Sequence, residues 1–423
     1  MFSFFVSQEK KMRENAANWL ELADKVYHFR RDMLPAAQVE ELQSQIKGLR
    51  ALLKERAGAE KLKLAIERLE DVLRRTGGAI YPKSALVENV EFFLVAAIVI
   101  LGIRTYFVQP FKIPTNSMWP TYNGMTPEVW RTPDEAPGLA MQAARFVLFG
   151  AQRKEIIAPE SGPITLPVYR RATGAGGILP YDTVPARNWF VFPTTNREYT
   201  FYVGETPVRL RVPADFNFDW ALHDAIGLSA EQLADLAEKS RRQSGNFAWV
   251  TLPRNAERGQ PVLSFDILTG DQLFVDRMTY HFMRPQVGQG FVFRTGNIPD
   301  IARAYGDQYY IKRLAGTPGD TLEVREPVLY RNGAPITGAD AFGLNARRAE
   351  KYRGYFYAPD APRGQYLFKG QPAKVPPNHY MGLGDNSADS ADGRYWGFVP
   401  AKDVVGRPLF VYFPFTRHWG PAR

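Results

Sequence analysis

The sequence predicts a mainly β domain of antiparallel sheets, preceded by an N-terminal α-helical hairpin or coiled-coil arm and one transmembrane helix. Three observations carry this prediction. An N-terminal stretch is rich in Ala, Leu, Glu, Lys and Arg with little Gly or Pro, and an unbroken apolar run follows it. Beyond the run the composition changes to Pro, Gly, Tyr, Phe and Val in short alternating stretches. With 423 residues, 45% of them hydrophobic and 13% aromatic, the chain has material for two or three packed domains.

Residues from about Gln8 to Thr76 read as helix, punctuated by Pro35 and Gly58. After Pro35, Val39, Leu42, Ile46, Leu49 and Leu53 recur at alternating steps of three and four, and Leu62, Ile66, Leu69 and Leu73 repeat the pattern beyond Gly58. Such a stripe must be covered, which gives the hairpin or short coiled coil. Heptads this short do not choose between an arm that packs on itself, self-association and a cytoplasmic partner. No catalytic motif lies here.

The run Phe92–Ile103 is shorter than the ~20 residues a spanning helix needs, but Val87, Val90, Tyr106, Phe107 and Val108 extend it past that length. A buried core helix is the alternative for so short a centre. Arg74, Arg75 and Lys83 stand close before the run, within an arm that has more Lys and Arg than Asp and Glu. The positive-inside rule then keeps the arm cytoplasmic and sends the remainder across.

In the region beyond, Thr200–Val203 and Val208–Val212 make a hairpin around Gly204–Pro207. Leu273–Val275, Gly290–Phe293, Tyr309–Leu314, Thr321–Val324 and Leu409–Phe413 are further strands. Ser229 with Gln232 three residues later is a capping box opening a helix. Gly174–Gly177 reads as a flexible turn, since no P-loop lysine follows and Pro180 comes soon after.

Composition excludes several chemistries. With no cysteine, thiol nucleophiles, disulfides and zinc-thiolate sites are ruled out. The five histidines, His28, His223, His281, His379 and His418, show no helical metal spacing. A net charge of +9 favours an anionic surface such as lipid headgroups, but its Lys and Arg are dispersed and not interleaved with aromatics, so a nucleic-acid partner is not expected.

Three segments carry candidate chemistry. In Gln109–Thr121, two prolines and an Asn bracket Ser117, giving an extended approach and a turn that can present a hydroxyl and a free backbone N–H. In Tyr310–Asp320, Lys312 sits in an apolar strand between Ile311 and Leu314, ahead of a Pro-Gly-Asp turn. Gly384–Pro400 is a polar loop feeding an aromatic strand. Each alone is compatible with an ordinary turn, a solvated strand lysine or an Asx-bonded loop.

Taken together, in this order after a membrane-type run, the three segments resemble the type I signal peptidase (leader peptidase) family of Ser-Lys proteases, and Gly270–Val275 resembles that family's Gly-Asp-x-Val-x-Val strand. The resemblance implies a signal-peptidase-like antiparallel β catalytic domain on the outer face of a bacterial cytoplasmic membrane, cutting exported preproteins after Ala-x-Ala. It implies neither a cofactor nor a metal. The implied layout is a cytoplasmic arm at 1–85, a transmembrane helix at 86–108 and an extracytoplasmic catalytic region at 109–423. Within that region lie a core of 109–123, 263–322 and 378–423, an insertion of 124–262 and a smaller β insertion of 323–377.

By the same resemblance, Ser117 is the nucleophile and Lys312 the general base, a role that requires desolvation to lower the lysine pKa. Thr115 joins the backbone N–H of Ser117 in an oxyanion hole, Ser390 hydrogen-bonds and orients the lysine, and Asp392 with Arg394 is a supporting ion pair. Phe111, Ile113, Pro114, Tyr310 and Ile311 line shallow substrate pockets, with ordinary strand packing as their alternative. The chain departs from the family at Asn116, which replaces a usual Gly and is expected to keep the turn through its tolerance of left-handed backbone. It departs again at Ser387, Ala388, Asp389 and Gly393. A Ser-Lys protease of other specificity is the alternative enzyme; a scaffold with a vestigial protease domain is the alternative class, against which the intact Ser117 and Lys312 argue.

Overall fold

The computed structural model describes residues 8–169, 179–188, 192–240, 242–244, 246–358 and 365–422; the Gly174–Gly177 turn lies outside them. The chain divides into two compact units, Met1–Leu101 and Gly102–Arg423.

In the first unit, Pro35 and Gly58 do stop helices, but the product is a set of three and not a hairpin: α1 (Gln8–Arg30), α2 (Ala36–Lys54) and α3 (Ala59–Thr76). The predicted stripes of α2 and α3 are buried at Leu42, Ile46, Leu49, Leu62, Ile66, Leu69 and Leu73, and α1 covers them with Ala16, Leu20, Ala23 and Val26. The small alanines of α1 make a weak stripe by hydrophobicity, although they allow the close approach that completes the core. After the third helix comes α4 (Ala85–Tyr106), none of whose residues is buried; its 22 residues are long and apolar enough to cross a membrane.

In the second unit, strand β1 (Val108–Lys112) leads into a short 3-10 turn at Asn116–Met118. The chain then enters the long insertion, which holds β2 (Thr126–Val129), helix α5 (Leu139–Phe149), β3 (Gln152–Ile157), β4 (Gly162–Tyr169), β5 (Asp182–Asn188), β6 (Phe192–Val203) and β7 (Thr206–Pro213). Helices α6 (Phe218–Ile226) and α7 (Ala230–Lys239) follow, then β8 (Gln243–Ser244), β9 (Phe247–Ala256) and β10 (Pro261–Leu268). The β6–β7 hairpin turns at Gly204, whose φ is +59°, and α7 opens with the capping box of Ser229 and Gln232. Phe216 and Phe218 pack on Phe265 in a core that belongs to the insertion alone.

The boundary expected at residue 263 falls inside β10. That strand pairs with β2 and β3 and buries Leu263, Phe265 and Ile267 in the insertion core, so the inserted sheet reaches Leu268. The insertion leaves and re-enters the core at adjacent points. Asp271 N–H donates to the Asn123 carbonyl at 2.8 Å, and a Cβ on Gly270 would lie 1.9 Å from the Ile113 carbonyl oxygen and 3.1 Å from Gly124, so only glycine fits where the two backbones cross.

Past the insertion come β11 (Gln272–Asp276), β12 (Gly290–Arg294), β13 (Tyr309–Gly316), β14 (Thr321–Arg325), β15 (Val328–Arg331), β16 (Ala334–Pro335), β17 (Ala373–Lys374), β18 (His379–Leu383), β19 (Val399–Pro400), β20 (Val404–Phe413) and β21 (Gly420–Pro421). The main sheet is antiparallel, in the order β1-β11-β20-β12-β13-β18-β19, with β21 on β20. Strands β14–β17 form the small second sheet of the shorter insertion. Period-two alternation splits the main core: Phe291 and Phe293 pack with Leu314 and Trp396 on one face, and Val292 with Ile113, Met118 and Val411 on the other.

Candidate active site

The strand register places Lys312. It lies opposite Phe291 of β12, so the two side chains share a face, and Tyr310 and Leu314 project to that same side. Ile311, expected as an apolar neighbour, points to the other face for the same reason. A Cβ on Gly382 of β18 would lie 3.1 Å from the Lys312 Cβ and 3.0 Å from the Phe291 ring, so glycine keeps the room the lysine stem occupies.

Lys312 is only 4% exposed, and its Nζ donates to Ser117 Oγ at 2.7 Å across 195 residues of sequence. Burial pushes the ammonium down to about 8, with the charge of Asp392 working against the shift, Arg394 adding to it and Asp385 opposing it again. A serine hydroxyl within hydrogen-bond reach of a lysine that loses its proton near neutral pH is the geometry of an activated nucleophile.

Ser117 sits in the 3-10 turn, and Asn116 holds that turn in a way the sequence did not reveal. The residue keeps ordinary right-handed backbone, so tolerance of the left-handed region is not what it supplies. Instead its buried amide acts as a brace: Nδ2 donates to the Met125 carbonyl and Oδ1 accepts from Gly124 N–H, both at 2.9 Å. Asn386 ties the same turn from the other side, donating Nδ2 to the Asn116 carbonyl at 3.0 Å and its backbone N–H to the Ser117 carbonyl at 3.1 Å.

Asp392 and Arg394 form a buried bidentate pair, Nε to Oδ1 at 2.9 Å and Nη2 to Oδ2 at 3.0 Å. Burial works to raise the Asp392 carboxyl, but the adjacent guanidinium holds it below its ordinary value. Asp392 also accepts from Gly384 N–H at 2.9 Å, so the pair shapes the loop that backs the lysine. Ser390 is buried beside this loop without the expected hydrogen bond to Lys312: the ammonium is directed to Ser117, while Ser390 Oγ rests against Gly384 with no hydrogen-bond partner among the described residues. Thr115 is solvent-exposed at the head of the turn. The departures at Ser387 and Asp389 leave the loop anchored, since Ser387 Oγ accepts from Phe356 N–H at 3.0 Å and Asp389 pairs with Arg353.

Of the expected pocket residues, Ile113 is taken up by the core, Phe111, Tyr310 and Ile311 are half-buried, and Pro114 is exposed. The Phe111 and Tyr309 rings meet edge-on at 5.0 Å, which brings β1 and the start of β13 together although they are not sheet neighbours. Among the described residues, β1 pairs only with β11, and Tyr309–Lys312 of β13 pair only with β12. β1 and the start of β13 therefore each keep one edge unpaired among the described residues, on the segments that lead to Ser117 and Lys312.

Arg313, next to the lysine, turns to the opposite face and is fixed by Asp385 (Nε to Oδ1 3.0 Å, Nη2 to Oδ2 2.5 Å), which also accepts from Thr121 Oγ1 at 2.5 Å. Sequence reasoning missed Asp385, Asn386 and Thr121. A Lys-Arg pair inside an apolar strand was the available signal, since alternation buries one cation on each face and each then needs a partner.

The family described as signal peptidase, peptidase S26, matches residues 260–413, a span that holds Lys312, Ser390, Asp392 and Arg394 and omits Ser117. Signal peptidase I of Bacillus licheniformis is 32% identical over 152 residues, covering 35% of this chain and 69% of that protein. The chain belongs to the signal peptidase I family. Another member, probable signal peptidase I-1 of Synechocystis, is 34% identical over 154 residues, 36% of this chain and 66% of its own length. A signal peptidase I from Enterococcus faecalis shares 31% identity over 30% of this chain and 97% of that one, with a TM-score of 0.22. The chain spans less than two thirds of the length of the first curated relatives it matches. Both the three-helix unit and most of the long insertion lie outside the residues matched by the family.

Proposed function

We propose that the chain is a membrane-anchored serine endopeptidase that removes N-terminal signal peptides from exported preproteins, cutting after an Ala-x-Ala-like site. The observation that carries this reading is the 2.7 Å contact between Ser117 Oγ and a buried Lys312 Nζ. The neutral amine takes the Ser117 proton as Oγ attacks the scissile carbonyl carbon. The resulting oxyanion is held by the Ser117 N–H and the Thr115 hydroxyl. The lysine then gives its proton to the leaving amine, and an acyl-enzyme on Ser117 remains. Water, deprotonated by the same lysine, attacks that ester; the acyl C–Oγ bond breaks, Ser117 Oγ takes the proton back from Lys312, and the signal peptide's carboxylate is freed. The strand edges of β1 and β13 supply backbone groups to an extended substrate, and Phe111, Pro114, Tyr310 and Ile311 border its side chains. Cleavage of a preprotein in detergent tests the reading; the rate is expected to rise with pH and level off above about 8, because only the deprotonated amine is a base. A profile flat from pH 6 to 9 would remove Lys312 as the base.

Ser390 is given the role of engaging Lys312 during the reaction, since its buried hydroxyl has no partner among the described residues. Ser390→Ala is expected to slow turnover roughly ten- to hundredfold with thermal stability unchanged or higher, because a buried unpaired hydroxyl stabilises nothing. Wild-type turnover in this variant would exclude Ser390 from the site.

Helix α4 spans the cytoplasmic membrane in this reading, about 33 Å long at 1.5 Å per residue, with the helical unit at 1–85 inside and the catalytic region at 109–423 outside. The supporting feature is the cluster of Arg74, Arg75 and Lys83 before the run. Protease added to spheroplasts is expected to degrade the catalytic region and spare the helical unit. The reverse pattern would overturn the orientation.

A further inference from the structure

Neither insertion has a part in the mechanism above, yet both reach the nucleophile's turn. Trp119, two residues beyond Ser117, is half-buried. The ring of Trp220, from α6 of the long insertion, meets it edge-on with centroids 5.6 Å apart. From the shorter insertion, Lys351 holds its ammonium 5.8 Å from the centroid of the same Trp119 ring. Tyr352, beside it, is hydrogen-bonded through its hydroxyl to Thr121 at 2.9 Å.

The segment that carries Trp220 is firmly placed. Phe216 and Phe218 are buried in the insertion core, leaving Asp215 and Asn217 at the surface and Trp220 half-exposed. At the near end of this segment, the charge of Asp215 acts on Lys112 of β1 and Tyr310 of β13. The contact with Trp119 therefore brings Trp220 beside the chain that follows Ser117, on the far side of that residue from β1.

That far side has a direct chemical meaning if the chain is a signal peptidase, a reading on which this inference rests. In that reading residues before the cut lie along 111–114 and 309–311, and residues after it leave past Trp119, because Met118 is buried in the core. The Trp119 Cα lies at most about 7 Å from the Ser117 Cα, a distance that two or three extended substrate residues cover. We propose that Trp119, Trp220 and Lys351 form a subsite for the first residues of the released mature chain, in which the indole pair supports the extended peptide and Lys351 favours an acidic side chain. Trp220 and Lys351 are then specificity-determining residues contributed by segments outside the turn that carries Ser117 and the strand that carries Lys312. An indole face gives flat apolar contact without choosing one side chain. An exposed ammonium steers by sign, with an effect of only a few-fold.

The test uses the full chain in detergent and a set of peptides identical through an Ala-x-Ala cut, with Asp, Ala or Lys at each of the first three positions after it. Wild type is expected to prefer Asp over Lys at one of these positions by roughly three- to fivefold in kcat/KM, and Lys351→Glu to invert that order. Trp220→Ala is expected to raise KM for the whole set several-fold, and Trp220→Phe to restore most of the loss. Thermal melts of each variant separate a changed subsite from a lost fold. Cleavage with the same Asp-to-Lys ratio in wild type and Lys351→Glu, and an unchanged KM in a folded Trp220→Ala, would overturn the subsite and leave the peptidase reading standing. Failure of wild type to cut any peptide of the set would overturn that reading, and the subsite with it.

Discussion

Ser117→Ala and Lys312→Met are each expected to lower preprotein cleavage by about four orders of magnitude or more, and the double mutant to be little worse than either alone. The reason is the shared hydrogen bond: a hydroxyl without its base and a base without its hydroxyl are equally unable to start the reaction. Single-turnover assays on the three variants measure this, and additive losses would mean that the two groups act separately. Histidine offers the contrast. Among the described residues none is hydrogen-bonded to Ser117; His418 is held by Asp271 at 2.7 Å and His379 by the Pro377 carbonyl at 2.9 Å. Single replacement of His281, His379 or His418 is expected to leave measurable activity, whereas a Ser-His mechanism would lose about as much from its histidine as from Ser117.

The second large effect concerns stability. Asp385→Ala removes both acceptors of the Arg313 fork, in a place where the two side chains are 3% and 0% exposed. Two partners of Arg313 would remain, the Gly288 carbonyl at 2.7 Å and the Thr121 hydroxyl at 3.4 Å. A buried charge stripped of its counter-ion costs about 3 to 5 kcal/mol, which for a unit of this size lowers Tm by roughly 5 °C. Urea unfolding followed by near-ultraviolet circular dichroism measures it. Replacing both partners with apolar residues, as in Arg313→Met with Asp385→Leu, is expected to recover most of the loss, because no unpaired charge is left behind. A midpoint for Asp385→Ala equal to that of wild type would show the pair to be energetically neutral.

The dyad was legible because its surroundings are local: prolines frame Ser117, and an apolar strand frames Lys312. The β6–β7 hairpin and the capping box of Ser229 were readable for the same reason, each being specified within a few residues. What escaped was the bracing. Asn116 was noticed as a departure, but its role depends on Gly124 and Met125 folding back over it, and Asn386 reaches it across 270 residues. The three-helix packing of the first unit was hidden by the alanines of α1, which count for little in a hydrophobic stripe yet let helices approach closely. The reach of Trp220 to Trp119 has no local signature in either segment.

The crossing of Gly124 and Gly270 has a further consequence. Because the chain departs and returns at touching points, and the described residues within 125–269 close over a core of their own, the main sheet does not register how much polypeptide lies between them. Loop-closure entropy grows only with the logarithm of length, about 0.6 kcal/mol per doubling, so this junction behaves as a socket into which cassettes of different size can be fitted without moving Ser117. Assembly order is then constrained as well. Strand β1 cannot meet its partner β11 until the whole cassette has been synthesised, so during synthesis Ser117 precedes Lys312 by more than the length of the insert, and the hydrogen bond between them forms only after the cassette is made.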